Sequence, residues 1–122
     1  MYRIEEFGLN EKKFIYIDFS GYKTSDEFSS LMEMTKPVIA KYPECSLYTI
    51  TNIENVIFDS QTKKIASEYM RHNKPYVKYG VIIGMDGIKK MICRTIIKLS
   101  GRTNMHFAFT KEEAVEWLLR QR

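Results

Sequence analysis

At 122 residues, with 44% hydrophobic and 28% charged positions, the chain can build one core and is too short for two ordinary domains. That balance excludes intrinsic disorder, and no apolar run approaches the ~18 residues of a membrane-spanning helix. The net charge of +4 is unevenly spread: residues 1–59 hold six Lys/Arg and ten Asp/Glu, residues 60–122 thirteen and five. A basic C-terminal half is a candidate face for an acidic partner, or simply a differently solvated surface. Cys45 and Cys93 form no CxxC pair, and the N-terminus carries acid where a leader would be apolar. A reducing, cytoplasmic setting is predicted.

Residues 2–7 have modest strand character, and Gly8 to Lys12 reads as a turn. Lys13 to Phe19 (KFIYIDF) is aromatic and β-branched, so it reads as a strand close enough to the first to form a hairpin. Thr24-Ser-Asp-Glu27 is a capping box. The helix behind it aligns Phe28, Leu31, Met32, Thr35, Val38, Ile39 and Tyr42 on one stripe, with Pro37 inside it as a bend. Ser46 to Ile53 (SLYTITNI) is β-branched on both faces, which suits a strand covered on both sides. Asp59 or Ser60 caps a second helix whose stripe is Thr62, Ile65, Ala66, Tyr69, Met70 and Asn73, closed by Pro75. Val77 to Gly84 is a strand, with Gly80 marking close packing. Asp86 caps a third helix to about Ser100, and Gly101 stops it. Asn104 to Phe109 is a last strand, and Thr110-Lys-Glu-Glu113 opens a final helix. The order β-β-α-β-α-β-α-β-α predicts an α/β single domain over residues 1–122, with a mixed, mostly parallel five-stranded sheet and four helices.

Chemistry-bearing motifs are sparse. His72 and His106 have no Cys or carboxylate at ligand spacing, so no metal is expected. No nucleophile elbow is present, and the Gly84-to-Lys90 loop lacks the spacing of a phosphate loop; no cofactor is expected. Carboxyl ends of parallel strands are the usual ligand edge of open α/β sheets. They gather Asp18, Ser20, Asn52, Asn55, Asp59 and Ser60, residue types that also serve turns and caps. On the third helix, Ile88, Met91, Ile92, Thr95, Ile96 and Leu99 read as the buried stripe. The opposite face then carries Lys89, Lys90, Cys93, Arg94, Ile97 and Lys98. A basic face with apolar Ile97 suits an acidic protein groove, an anionic lipid surface or a homodimer contact. Aromatics do not interleave with these cations, so nucleic acid is not expected as a partner.

Phe58-Asp59-Ser60, opening a helix after strand SLYTITNI, resembles the strand-loop-helix element of STAS domains, the anti-sigma-factor antagonist and sulfate-transporter modules. With the Phe14-to-Gly21 strand ending in DFSG, His72-Asn73-Lys74-Pro75-Tyr76-Val77 and Ser100-Gly101-Arg102, nearly the full chain is similar to the STAS-like (SpoIIAA-like) subfamily of small bacterial and archaeal proteins. The resemblance implies a four-helix, five-stranded fold and a non-enzymatic regulatory or binding role. Comparison of some relatives with lipid-binding domains adds a small apolar ligand as an alternative. Where anti-sigma-factor antagonists carry the phosphorylated serine this chain has Gln61, followed by Thr62 in place of glycine. Binding without a phosphoserine switch is therefore expected.

Overall fold

A computed structural model describes residues 3–122. Strand β1 (Ile4–Leu9) turns at Asn10 and Glu11, both with positive φ, and returns as β2 (Lys12–Asp18). Two consecutive left-handed residues match the twist of a tight hairpin. The turn is thus shorter than the Gly8-to-Lys12 span expected from sequence, because Gly8, Leu9 and Lys12 pair in the ladder. Tyr2 of the expected first strand lies outside the described residues. The chain continues as α1 (Ser25–Ile39), β3 (Leu47–Asn52), α2 (Ser60–Asn73), β4 (Val77–Ile83), α3 (Gly87–Ser100), β5 (Met105–Phe107) and α4 (Lys111–Arg120). This is the α/β order read from the sequence.

The sheet runs β1-β2-β3-β4-β5 in chain order, with β1 antiparallel to β2 and every other pairing parallel. Each parallel step crosses over through a helix, and the right-handed rule places α1, α2 and α3 on the same face. The first core lies beneath them, built from Ile15, Ile17, Phe28, Ile39, Leu47, Tyr69, Ile82, Cys93 and Ile96. Residues alternate along strands, so Phe14, Tyr48, Ile50, Val81 and Ile83 point to the other face, where Ala114 and Leu118 of α4 cover them. A ten-residue helix is ~15 Å long. It packs on β3 and β4, and aromatics take over elsewhere: Phe7 stacks on Phe14 at 5.0 Å, and Trp117 stacks on His106 at 4.1 Å.

Local chemistry fixes the elements. Thr24 and Glu27 complete the capping box of α1, and Thr110 caps α4 by accepting from the Glu113 amide. Pro37 falls in the last turn of α1, where the lost N–H removes one bond only and the helix still reaches Ile39. Lys12 Nζ donates to the carbonyls of Leu118 and Leu119 at 3.0 Å, closing the C-terminus of α4 from the far end of the chain. Gly80 sits where an added Cβ would lie 2.7 Å from Met105 Sδ and Thr49 Oγ1, which is the close packing its place in the strand predicts.

Candidate functional site

Of the six residues expected at the carboxyl edge, Asp18 and Asn52 end β2 and β3, Ser20 and Asn55 lie in the loops that follow, and Asp59 and Ser60 stand at the start of α2. Asp18 Oδ1 accepts from the Ser20 amide at 2.8 Å, and Asn52 Oδ1 accepts from the Glu54 amide at 3.0 Å while its Nδ2 donates to Tyr16. Asn55 holds a left-handed turn position at φ 57. Asp59 is the N-cap of α2; its Oδ1 accepts from the Thr62 amide at 2.7 Å and the Thr62 hydroxyl at 2.8 Å. Those bonds, the amide first, hold its carboxyl below the usual carboxylate range. Ser60 is the first residue of the helix, and exposed. Asp18, Asn52 and Asp59 each commit Oδ1 to a nearby backbone amide, which is turn and cap work. Among the described residues strand order never reverses, so the crevice of a topological switch point is absent. The groove at this edge lies past β4 and β5, where Met85, Asp86, Lys90, Phe107 and Phe109 surround about 290 Å³ and none of the six residues takes part. Packing at the edge is tight: a Cβ on Gly84, at φ +82, would lie 2.6 Å from Asn52 Oδ1. Among the described residues no group of three or more His, Cys, Asp or Glu is placed to hold a metal ion.

Helix α3 departs from the sequence reading. Cys93, Ile96 and Ser100 are its buried residues, with Ile92 and Ile97 half-buried against the same core. Ile97 and Cys93, expected on the outer face, therefore belong to the inner one. Of the expected inner stripe, Ile88 is 75% exposed, Met91 70% and Leu99 62%, and Thr95 is exposed as well. The helix is apolar on two sides, so periodicity alone does not fix its rotation. Side-chain size does: Cys93 and Ser100 on α3, like Ala66 and Ser67 on α2, are small and buried, and small residues let two helices seat closely. Arg94 and Lys98 remain exposed as expected, whereas Lys89 and Lys90 are half-buried. The Lys90 ammonium lies 5.5 Å from the Phe107 ring centroid.

The outward face of α3 is consequently an apolar stripe. Ile88, Met91, Thr95 and Leu99 recur at spacings of three and four and share about 80° of arc. Arg94 and Lys98 border the stripe, and Arg71 of α2 reaches its far end by donating to the Leu99 carbonyl at 2.9 Å. The helix has four basic residues and no acidic one.

Cys93 and His106 are not poised as a nucleophile and a base. Burial pushes the Cys93 thiol up to about 11, so it is not a thiolate at neutral pH. Burial, then the nearby Lys90 and Arg120, lower the pKa of His106, which packs against Trp117 with no acidic partner to orient it.

Sequence reasoning missed one further feature. Between the three-helix layer and the sheet lies an apolar cavity of about 70 Å³, whose wall includes the buried Arg102. No period or motif signals it, because it is bounded by side chains from seven elements, β2 to β5 and α1 to α3.

No protein-family model matches the chain, and no curated protein sequence matches it.

Proposed function

We propose that the chain is a STAS-like, non-enzymatic interaction module of the cytoplasm that binds an acidic protein groove through the outward face of α3. The observation that carries this reading is the exposed stripe Ile88, Met91, Thr95 and Leu99 with its basic border. Anchors at i, i+3, i+7 and i+11 are the pattern by which one helix lies in an apolar groove, and this stripe is ~16 Å long. Apolar residues exposed together mark a contact surface more than single ones do. Arg94 and Lys98 select for acid on the partner and steer its approach. The same charges disfavour a second copy, because a two-fold pairing of this face sets each cation against its own kind. The element order and mixed sheet agree with the STAS-like resemblance. Engagement of the edge oxygens in turns and caps supports a binding role without catalysis. Two free cysteines, one exposed and one buried, accord with a reducing compartment. Among the described residues no helix is long and apolar enough to cross a membrane.

The test is a photo-crosslinking amino acid placed at Thr95 in cells, followed by reconstitution with the purified adduct partner. A protein adduct with an acidic contact surface, weakened by salt and lost in Met91→Glu, is expected. Sedimentation of the purified protein with phosphatidylserine vesicles, without such an adduct, would replace the protein partner with a lipid surface.

A further inference from the structure

Strand β5 ends the sheet, so one of its sides has no strand beside it. The bonds to β4 tell which groups that side carries. The Gly80 amide donates to the Asn104 carbonyl and the Ala108 amide donates to the Ile82 carbonyl, both at 3.1 Å. Peptide groups alternate in direction along an extended chain, so His106 faces β4 with these two, and Met105 and Phe107 turn their N–H and C=O groups outward. A row of outward N–H and C=O groups is a template for another strand. Proteins blunt such an edge with a covering element, a bulge, a proline or a short strand. β5 is short, yet the bonds of Asn104 and Ala108 carry its pairing beyond Met105 and Phe107. Its register with β4 has no bulge, residues 104–109 hold no proline, and Phe109 is 83% exposed.

The groove of about 290 Å³ adjoins this edge. Met105 and Phe107 pack on the helix side of the sheet, and the side chains of an added strand alternate between faces. Those on the helix side meet the groove. Its wall offers Met85 and the rings of Phe107 and Phe109 to an apolar side chain, and the Lys90 ammonium to a charged one. Lys90 has no carboxylate of its own: the ion pairs among the described residues are Lys36–Glu33 and Lys111–Glu5. The acid in the groove wall, Asp86, commits Oδ1 to the Lys89 amide, and Glu113 turns Oε2 to the Phe109 amide. Lys90 from α3 and Arg120 from α4 both lower the pKa of His106, so cations stand on either face of β5.

We infer that the free edge of β5 takes an extended segment of a partner protein as a sixth strand, with an apolar side chain against Phe107 and Phe109 and an acidic one on Lys90. Outward N–H and C=O groups in register select a strand by its own backbone, and the groove selects among side chains. A second copy pairing through its own β5 would offer residues 104–108, which hold no acid for Lys90. The edge lies on the flank of α3 away from the Ile88-to-Leu99 stripe, so a contact at Thr95 and a strand on β5 are read separately.

The experiment is selection of linear heptapeptides from a phage-displayed random library on the immobilised intact protein, then titration of the enriched peptides and amide hydrogen exchange by NMR. Enriched peptides should carry an aromatic or aliphatic residue and an Asp or Glu two positions apart, the spacing that puts both on one face of a strand. Their binding should slow exchange at the Met105 and Phe107 amides. It should weaken at least about tenfold in Lys90→Glu, the loss expected of a charge-assisted bond, and at least about fivefold in Phe109→Ala, as for an aromatic anchor. Phe109 is exposed, so its variant covers the case in which Lys90→Glu fails to fold. Failure of any peptide to enrich would overturn the proposal. So would enriched peptides without an acid, unchanged exchange at both amides, or full affinity in both variants.

Discussion

Asp59 and Ser60 show how single residues decide between a switch and a fixed contact. A phosphate at the start of α2 would meet free backbone N–H groups and the positive end of the helix dipole. Gln61 cannot carry it. Thr62 is fully buried and donates its hydroxyl to Asp59, so a kinase has no access to it. Ser60 is exposed but adjacent to the Asp59 carboxylate, and a phosphate there adds like charge. Mass spectrometry of the protein isolated from its own cells should find Ser60 and Thr62 unmodified; stoichiometric phosphate on either would restore the switch. Asp59 also predicts an acid-side signature. Its folded pKa is depressed below the reference 3.8, so its contribution to stability is present above that value and lost as pH falls through the folded pKa. The melting-temperature gap between wild type and Asp59→Ala should therefore close in strong acid. His106 adds a second step at higher pH. Its pKa is lowered from 6.5 by burial and two cations, so its neutral form is the one the fold accepts. Stability is complete above about 6.5 and declines as pH falls from there toward the folded pKa. Between about pH 7.5 and about pH 5.5 the melting temperature of wild type should fall further than that of His106→Phe, and parallel decline would assign the loss to other groups.

At the scale of the element, α3 separates what its sequence says from what packing decides. Asp86 accepts from the Lys89 amide at 2.9 Å and Gly101 ends the helix at φ 74; both ends were legible, because caps are local chemistry. The rotation of the helix was not. Ile88, Met91 and Leu99 form as good an apolar stripe as Cys93, Ile96 and Ile97, and only the neighbouring helix chooses between them. In α1 the ambiguity does not arise, since Glu33 and Lys36 mark the outer side, and Phe28, Leu31, Met32, Thr35 and Ile39 are buried as read. In α2, Thr62, Ala66, Tyr69 and Asn73 are buried as read. The two faces of α3 give opposite mutational outcomes. Ile96→Ala, at 4% exposure, should cost about 2–5 kcal/mol. Ile88→Gln should change stability by no more than about 0.5 kcal/mol. Urea denaturation of both variants checks the assignment, and reversed costs would return α3 to the rotation its bulkier stripe predicts.

Across the whole molecule, strict alternation of strands and helices made the mixed, mostly parallel sheet legible, whereas its strand order and the shared face of α1, α2 and α3 emerge only from the pairing. The burial of Leu47, Ile50, Val81 and Ile83 follows from their central strands, while Phe107 is only half-buried because β5 is an edge strand. Leu47→Ala should remove about 2–5 kcal/mol from a stability of roughly 5–15 kcal/mol, read as a lower denaturation midpoint. The cavity and its lone cation were not legible, since residues from Ile17 to Met105 meet there only after folding. The rotation of α3 leaves Ile88, Met91 and Leu99 exposed together, and the proposed function rests on that stripe as the partner surface. Photo-crosslinking from position 95 in cells tests that claim most directly. The account predicts one protein adduct that salt weakens and Met91→Glu abolishes. No protein adduct, or one indifferent to Met91→Glu, would contradict it.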